Sequence, residues 1–130
     1  MDGLHQSKGI SASGMEAQAQ RLRYITENIA NVETPGFRRK VTTFETILGN
    51  GADTGRVKSG PVSLDNRELT QIFEPSHPLA NDEGYYDGSN VSLVIEIADA
   101  REAQRSYEAN LRMFDQARKM RASLFDLLRR

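Results

Sequence analysis

Apolar positions change their rhythm twice along the chain. Between about Ile10 and Asn31, Met15, Leu22, Ile25 and Ile29 recur at steps of seven, three and four, with Gln18 at the skipped heptad position. Ala12, Ala19 and Ala30 widen this stripe. A period near 3.5 predicts an amphipathic helix with a coiled-coil seam, not a strand. Ser11 or Ser13 is placed to cap its start. Thr34-Pro35-Gly36 should stop it, because Pro35 drives Thr34 out of the α region and Gly36 tolerates a positive φ. From about Ser92 to Leu128 there is no Gly and no Pro. As a helix this stretch would reach about 55 Å, more than a chain of this size needs for a private core. Leu93, Ile97, Ala100, Tyr107, Leu111 and Phe114 form one seam on it, and Met113, Ala117, Met120, Leu124 and Leu127 form a second. A seam that drifts in this way is what a straight helix shows against a heptad repeat. Phe125 and Leu128 broaden the apolar face at the end, while Glu108–Arg112 and Asp115–Lys119 are i,i+4 acid-before-base pairs on the polar faces.

The centre has neither rhythm. Val41–Leu48 mixes β-branched and apolar residues, Gly49-Asn50-Gly51 with Thr54-Gly55 reads as a flexible tip, and residues 61–64 and 69–74 are short strand candidates joined by an Asp65-Asn66-Arg67 turn. The expected fold is mainly α: two long terminal helices forming an antiparallel coiled coil, with a small irregular or β insert between them. Residues 1–40 would hold the N-terminal helix and its turn, 41–90 the insert, and 91–130 the C-terminal helix. The longer helix would retain apolar surface without an internal partner, and such a stripe is usually an assembly surface.

Charge sharpens that division. The 130 residues carry 17 basic and 18 acidic side chains. Residues 1–40 have 6 basic and 4 acidic groups, 41–90 have 3 and 8, and 91–130 have 8 and 6, so the parts carry +2, −5 and +2. Near-neutrality argues against nucleic-acid binding by bulk charge. The absence of Cys excludes disulfide scaffolds, thiolate metal sites and cysteine nucleophiles. No stretch approaches the ~20 apolar residues of a membrane span, and residues 1–10 lack the apolar core of a cleavable signal.

Candidate chemistry is sparse. His77, with Glu74, Asp82 and Glu83 nearby, is the best candidate for a metal ligand or general base, or for a hydrolase pairing with Asp82 or Glu83. No second His stands at ligand spacing, and a loop histidine between two prolines is the plainer reading. Neither G-x-S-x-G nor a phosphate-binding glycine loop occurs. No catalytic, cofactor-binding or metal-ligating residue is therefore expected. Arg38-Arg39-Lys40 is the one basic run, read as a solvated or salt-bridging cluster that could face the acidic insert of a neighbouring copy. Asn28 and Asn31, three apart at a helix end, can hydrogen-bond backbone groups at the helix stop and on the chain that crosses it.

Three stretches carry a resemblance. Gly14-Met15-Glu16-Ala17-Gln18, followed by Glu27-Asn28-Ile29-Ala30-Asn31-Val32-Glu33-Thr34-Pro35-Gly36-Phe37-Arg38-Arg39, resembles the N-terminal signature of flagellar basal-body rod proteins. Ser106-Tyr107-Glu108-Ala109-Asn110 resembles the C-terminal element shared by rod and hook proteins, carried by Tyr107 and Asn110. Glu74 to Tyr85, with Pro75, His77, Pro78, Gly84 and Tyr85, then Asn90-Val91, resembles a stretch particular to one small proximal-rod protein. The junction after Asn31 is shorter than in many chains of that protein, and Phe37 stands where Tyr is commoner. The alternative within the family is another small rod protein, FlgB-like.

The resemblance implies a structural subunit of the proximal rod, exported by the flagellar type III apparatus without a cleaved signal and working in the periplasm as part of a drive shaft that transmits torque. Its partners would be copies of itself, FlgB, FlgF, the distal-rod FlgG, the FliE adaptor and the MS ring, with no nucleic acid and no membrane insertion. The assembly seam would comprise Met15, Leu22, Ile25, Ile29, Ile97, Tyr107, Leu111, Phe114, Met120 and Leu124, and the turn Asn28, Asn31, Thr34, Pro35 and Gly36. A soluble helical adaptor or export chaperone, binding one partner helix along the exposed seam, is the competing reading.

Overall fold

A computed structural model of the chain describes residues 2–130. Helix α1 spans Asp2–Ala30 and helix α2 spans Leu93–Arg129. Between them lie six short strands: β1 Lys40–Val41, β2 Phe44–Gly49, β3 Ala52–Ser59, β4 Ser63–Leu64, β5 Gln71–Phe73 and β6 Tyr85–Asp87. The strands form three separate antiparallel pairs, β1 with β4, β2 with β3 and β5 with β6.

α1 begins a full two turns before the expected start at Ile10. The two candidate caps are interior to it: Ser11 is buried against the rest of the fold, and the Ser13 hydroxyl donates to the Ile10 carbonyl at 2.7 Å. Tertiary contacts favour the extra turns despite Gly3 and Gly9, since the Lys8 ammonium lies 5.5 Å from the Phe114 ring of α2 and the Arg56 guanidinium occupies the space that a Cβ on Gly9 would need. The helix ends at Ala30, next to the expected Asn31, and a short turn carries the chain on to Pro35. Asn31 N–H still reaches the Glu27 carbonyl at 3.1 Å, and Gly36 turns the chain with φ at +76°.

The insert corrects the expected strand partners. Residues 61–64 and 69–74 do not form a hairpin about Asp65-Asn66-Arg67; β4 pairs with β1, with Lys40 opposite Leu64, and β5 pairs with β6, with Phe73 opposite Tyr85. Arg67 instead folds back on Asp65, its backbone N–H and guanidinium donating to that carboxylate at 2.9 and 2.8 Å. The expected flexible tip is a tight turn between two strands. Asn50 and Gly51 both have positive φ, 52° and 78°, as a two-residue turn of the primed type requires. The β2–β3 hairpin lies along α1, where Val57 N–H donates to the Ser13 hydroxyl at 3.1 Å and Gly55 abuts Ile10.

The two helices pack on each other along a sequence of contacts that descends α1 as it ascends α2. Asn28 meets Glu96 at 3.4 Å, Arg21 meets Asp99 and Glu102 at 3.9 and 3.7 Å, Gly14 meets Asn110, and Lys8 meets Phe114. The most buried positions of α2 are Glu96, Ala103 and Ala117. With Asn110 they form a heptad line. On α1 the buried positions are Ser11, Gly14, Ala17, Ile25 and Asn28. Small and polar side chains thus line the closest approach, and the larger apolar residues flank it.

Candidate assembly surface

At the end of the pair where α1 stops and α2 starts, a buried polar cluster ties three parts of the chain together. The Asn28 side chain, 1% exposed, behaves like a short piece of strand. Its Nδ2 donates to the Lys40 carbonyl and its Oδ1 accepts from the Lys40 N–H, both at 2.9 Å. The Glu96 carboxylate, 0% exposed, accepts from Arg39 Nε and from Asn28. Arg39 continues to Asp99 at 2.8 Å and to Asp65 at 3.7 Å. Lys40 pairs with Glu27 at 2.7 Å, and Arg38 donates to the carbonyls of Asp65 and Arg67 at 3.2 and 3.1 Å. The basic run 38–40 is therefore satisfied within its own chain. A buried carboxylate without such partners would carry a desolvation cost of several kcal/mol.

Asp65 closes the cluster from the insert. Hydrogen bonds from the Arg67 side chain, and next from its backbone N–H, hold the Asp65 carboxyl down at about 2 against an ordinary 3.8, with partial burial opposing them. Asn90 bridges the other side. Its Oδ1 accepts from Arg39 N–H at 2.6 Å, and its Nδ2 donates to the carbonyls of Asp65 and Arg67 at 3.0 and 3.1 Å.

The turn after α1 docks onto the strand that leads into α2. The Asn31 amide donates to the Glu27 carbonyl at 2.8 Å and accepts from the Thr34 hydroxyl at 3.0 Å, while Pro35 is exposed. Gly36 N–H reaches the carbonyls of Asp87 and Gly88, at 3.2 and 3.1 Å. The Ser89 hydroxyl donates to the Val32 carbonyl, and Asn90 N–H to that of Phe37 at 3.3 Å.

The 74–84 stretch is a closed loop across the β5–β6 ribbon. Glu74 N–H donates to the Gly84 carbonyl at 2.9 Å, and Asn81 Oδ1 accepts from the N–H groups of Glu83 and Tyr85, each at 3.0 Å. Gly84 has φ at +91°, and a Cβ there would meet the Phe73 ring at 2.7 Å and Pro75 at 2.9 Å. The His77 ring stacks on Tyr86 at 3.9 Å, and its Nδ1 accepts from Leu79 N–H at 3.1 Å. Pro78 is exposed beside it, and Tyr85 packs against Phe73 with ring centres 5.1 Å apart.

Of the expected seam residues, Ile25 is buried, while Met15, Leu22, Ile29, Tyr107 and Phe114 are half-buried beside the line of closest approach. Ile97, Leu111, Met120 and Leu124 are exposed, and every residue of α2 beyond Ala117 is exposed. The seven-residue step through Ala103, Asn110 and Ala117 runs on to Leu124, with Met120 and Leu127 beside it. Gly14 and Asn110, from motifs at opposite ends of the sequence, lie face to face: a Cβ on Gly14 would stand 2.8 Å from the Asn110 carboxamide. Glu96 and Asp99 carry no motif in the sequence reading, while Arg39 enters it only as part of a basic run and of a resemblance, and Asn90 only as part of a resemblance. The available signal was the lone charge inside Leu93-Val94-Ile95-Glu96-Ile97, since a carboxylate in an apolar run is rarely buried unpaired.

Comparison with known proteins accounts for this arrangement. Residues 10–38 match the family described as Flagella basal body rod protein, and residues 82–127 match Flagellar basal body rod FlgEFG protein C-terminal. The chain is 40% identical to the flagellar basal-body rod protein FlgC of Agrobacterium fabrum, over 99% of this chain and 98% of that one. It is 32% identical to FlgC of Escherichia coli O6:H1, over 85% of this chain and 87% of the relative. It is 31% identical to FlgC of Bacillus subtilis, over 85% and 88%. The matched segments hold the helix pair and its turn, and the chain accordingly belongs to the FlgC family of flagellar basal-body rod proteins, as a structural subunit of the rod.

Proposed function

We propose that this chain builds the proximal segment of the rod and works mechanically, with α1 and α2 as an antiparallel coiled coil that joins neighbouring subunits and carries torque. The observation that carries this reading is the unpartnered end of α2. Met120, Leu124 and Leu127 continue the packed heptad line past Ala117 into solvent, 39% exposed at Leu124 and 64% at Leu127. Met120, Leu124 and Leu127 are already about half covered, so completing their burial contributes roughly 1 kcal/mol each, a driving force that the single chain leaves unused. The neighbours would be further copies, FlgB, FlgF, FlgG, FliE and the MS ring, reached through the flagellar export apparatus into the periplasm. The division into helix and turn 1–40, insert 41–90 and helix 91–130 belongs to the same proposal, with Asn28 to Gly36 setting how the chain leaves the helix layer. His77 is engaged with Tyr86 and Leu79 as a structural part of its loop, which supports a mechanical role over a hydrolytic one.

The test is rod incorporation in a flagellated strain carrying this chain as its sole copy. Leu111→Asp and Leu124→Asp should abolish swimming and remove the chain from purified basal bodies, while His77→Ala should leave it there. Normal incorporation of both Asp variants would overturn the seam. A compact 1:1 complex with a soluble partner, and no chain in basal bodies, would favour the adaptor reading.

A further inference from the structure

Two exposed patches of opposite charge lie at opposite ends of the helix pair. The first is the β5–β6 ribbon and its loop, held beside the start of α2 by the bonds from Gly36 to Asp87 and Gly88. Residues 74–87 carry Glu74, Asp82, Glu83 and Asp87 and no Lys or Arg. All four acids are exposed, and so are Phe73, Leu79 and Tyr85. The second patch is the end of α2, roughly 40 Å farther along the helix from Leu93 to Met120. There Met120, Leu124, Phe125, Leu127 and Leu128 are exposed among Arg118, Lys119, Arg121, Arg129 and Arg130, with Asp126 the one acid beyond Asp115. Arg118 and Lys119 share Asp115, at 2.9 and 3.1 Å, and Arg121 lies over the Phe125 ring. Arg129 and Arg130 form no ion pair within the described residues. Arg112, Ser123 and Leu124 help line a shallow groove on this face.

We propose that these patches are the two halves of one contact: the acidic 74–87 loop of one copy docks on the basic, apolar end of α2 in a second copy. Charge complementarity selects the occupant, because the loop is uniformly acidic and the helix end is dominated by arginine and lysine. Leu79 and Phe73 supply apolar surface to meet Leu124 and Leu127, which continue the interface already made by α1 along the same line of α2. The two halves lie on different surfaces of the same chain, so the contact is heterologous. Repetition of a heterologous contact that does not close produces an open helical array, as a rod requires. This inference rests on the rod reading and adds which surface meets which.

The chain has no cysteine, so introduced pairs report cleanly. Ser76→Cys on the loop and Ser123→Cys on the helix end are near-isosteric changes at exposed positions. Oxidised basal bodies containing both variant chains should yield a disulfide-linked dimer of this chain, and either variant alone should not. Arg121→Glu with Arg129→Glu should lower that yield about tenfold, and adding Asp82→Arg with Glu83→Arg should restore it. If both cysteine chains enter the basal body and no dimer forms, or if either cysteine is trapped by a different protein, the docking proposal is overturned and the rod reading stands. Failure of the unsubstituted chain to enter basal bodies would overturn both.

Discussion

At the residue scale, the side chains under the strictest geometric demand are polar or lack bulk. Glu96 is fully buried and answered by Arg39 and Asn28. Glu96→Ala would leave Arg39 short of its main partner, and removing one member of a buried pair costs about 3–5 kcal/mol; urea unfolding of the purified chain should register a loss of that order. Ser11 presents the opposite case. It is 1% exposed, and among the described residues its hydroxyl has no hydrogen-bond partner. An unmet buried hydroxyl costs about 1–3 kcal/mol, so Ser11→Ala should raise the midpoint of thermal unfolding. Asp65 links stability to pH. Its carboxyl titrates at about 2 in the folded chain and near 3.8 when free, so it favours the folded state above pH 3.8. That contribution fades as pH falls towards 2, because the unfolded state then binds the proton first. Asp65→Asn should flatten the stability profile over this window, measured by denaturation at pH 5, 3.5 and 2.5.

At the element scale, helix boundaries and strand partners respond to different information. The end of α1 and nearly the whole of α2 were legible from Pro35, Gly36 and an uninterrupted run of helix formers, because these act locally through backbone sterics. The start of α1 was not, because Lys8 and Gly9 extend the helix through Phe114 and Arg56, neighbours distant in sequence. Strand existence was legible in the centre and pairing was not. Residues 63–64 pair with Lys40–Val41, which follow the turn after α1, and residues 71–73 pair with 85–87 across the 74–84 loop. The β2–β3 hairpin did carry a local signal in Asn50-Gly51, because Gly lacks a Cβ and Asn is the residue that next best tolerates the positive φ that the turn demands. Gly51→Val should destabilise the chain by about 1–2 kcal/mol through left-handed strain. Amide exchange at Val57, whose N–H is held by Ser13, should quicken at the same time.

Across the whole molecule, two helices of unequal reach share one line of contact, and the longer runs past the point where burial ends. Stability and assembly therefore separate along α2. Near Glu96 and Ala103 a substitution acts on the fold. Beyond Ala117 the side chains are exposed, and on the proposed reading a substitution there acts on assembly. Leu127→Asp should leave the unfolding midpoint of the isolated chain within about 0.5 kcal/mol of the parent, as exposed positions generally do. Without neighbours, amides from about 120 to the end of α2 should exchange faster than those around Ala103, since only the latter lie in a buried contact. Equal protection along the helix would mean that the end is already covered in the free chain.

The sequence by itself determined the two helices, the Pro35–Gly36 stop, the acidic insert and the family to which these motifs belong. Each depends on local sterics, periodicity or residue identity, and none needs a partner to be known. The tertiary structure decided which face of each helix packs inward. Leucines and isoleucines marked the amphipathic stripe, yet the line of closest approach runs through Gly14, Ala17, Ala103 and Ala117, because only small side chains let two backbones come together there. It also decided the partners of Glu96 and of the run Arg38–Lys40, because those charges meet only across tens of residues.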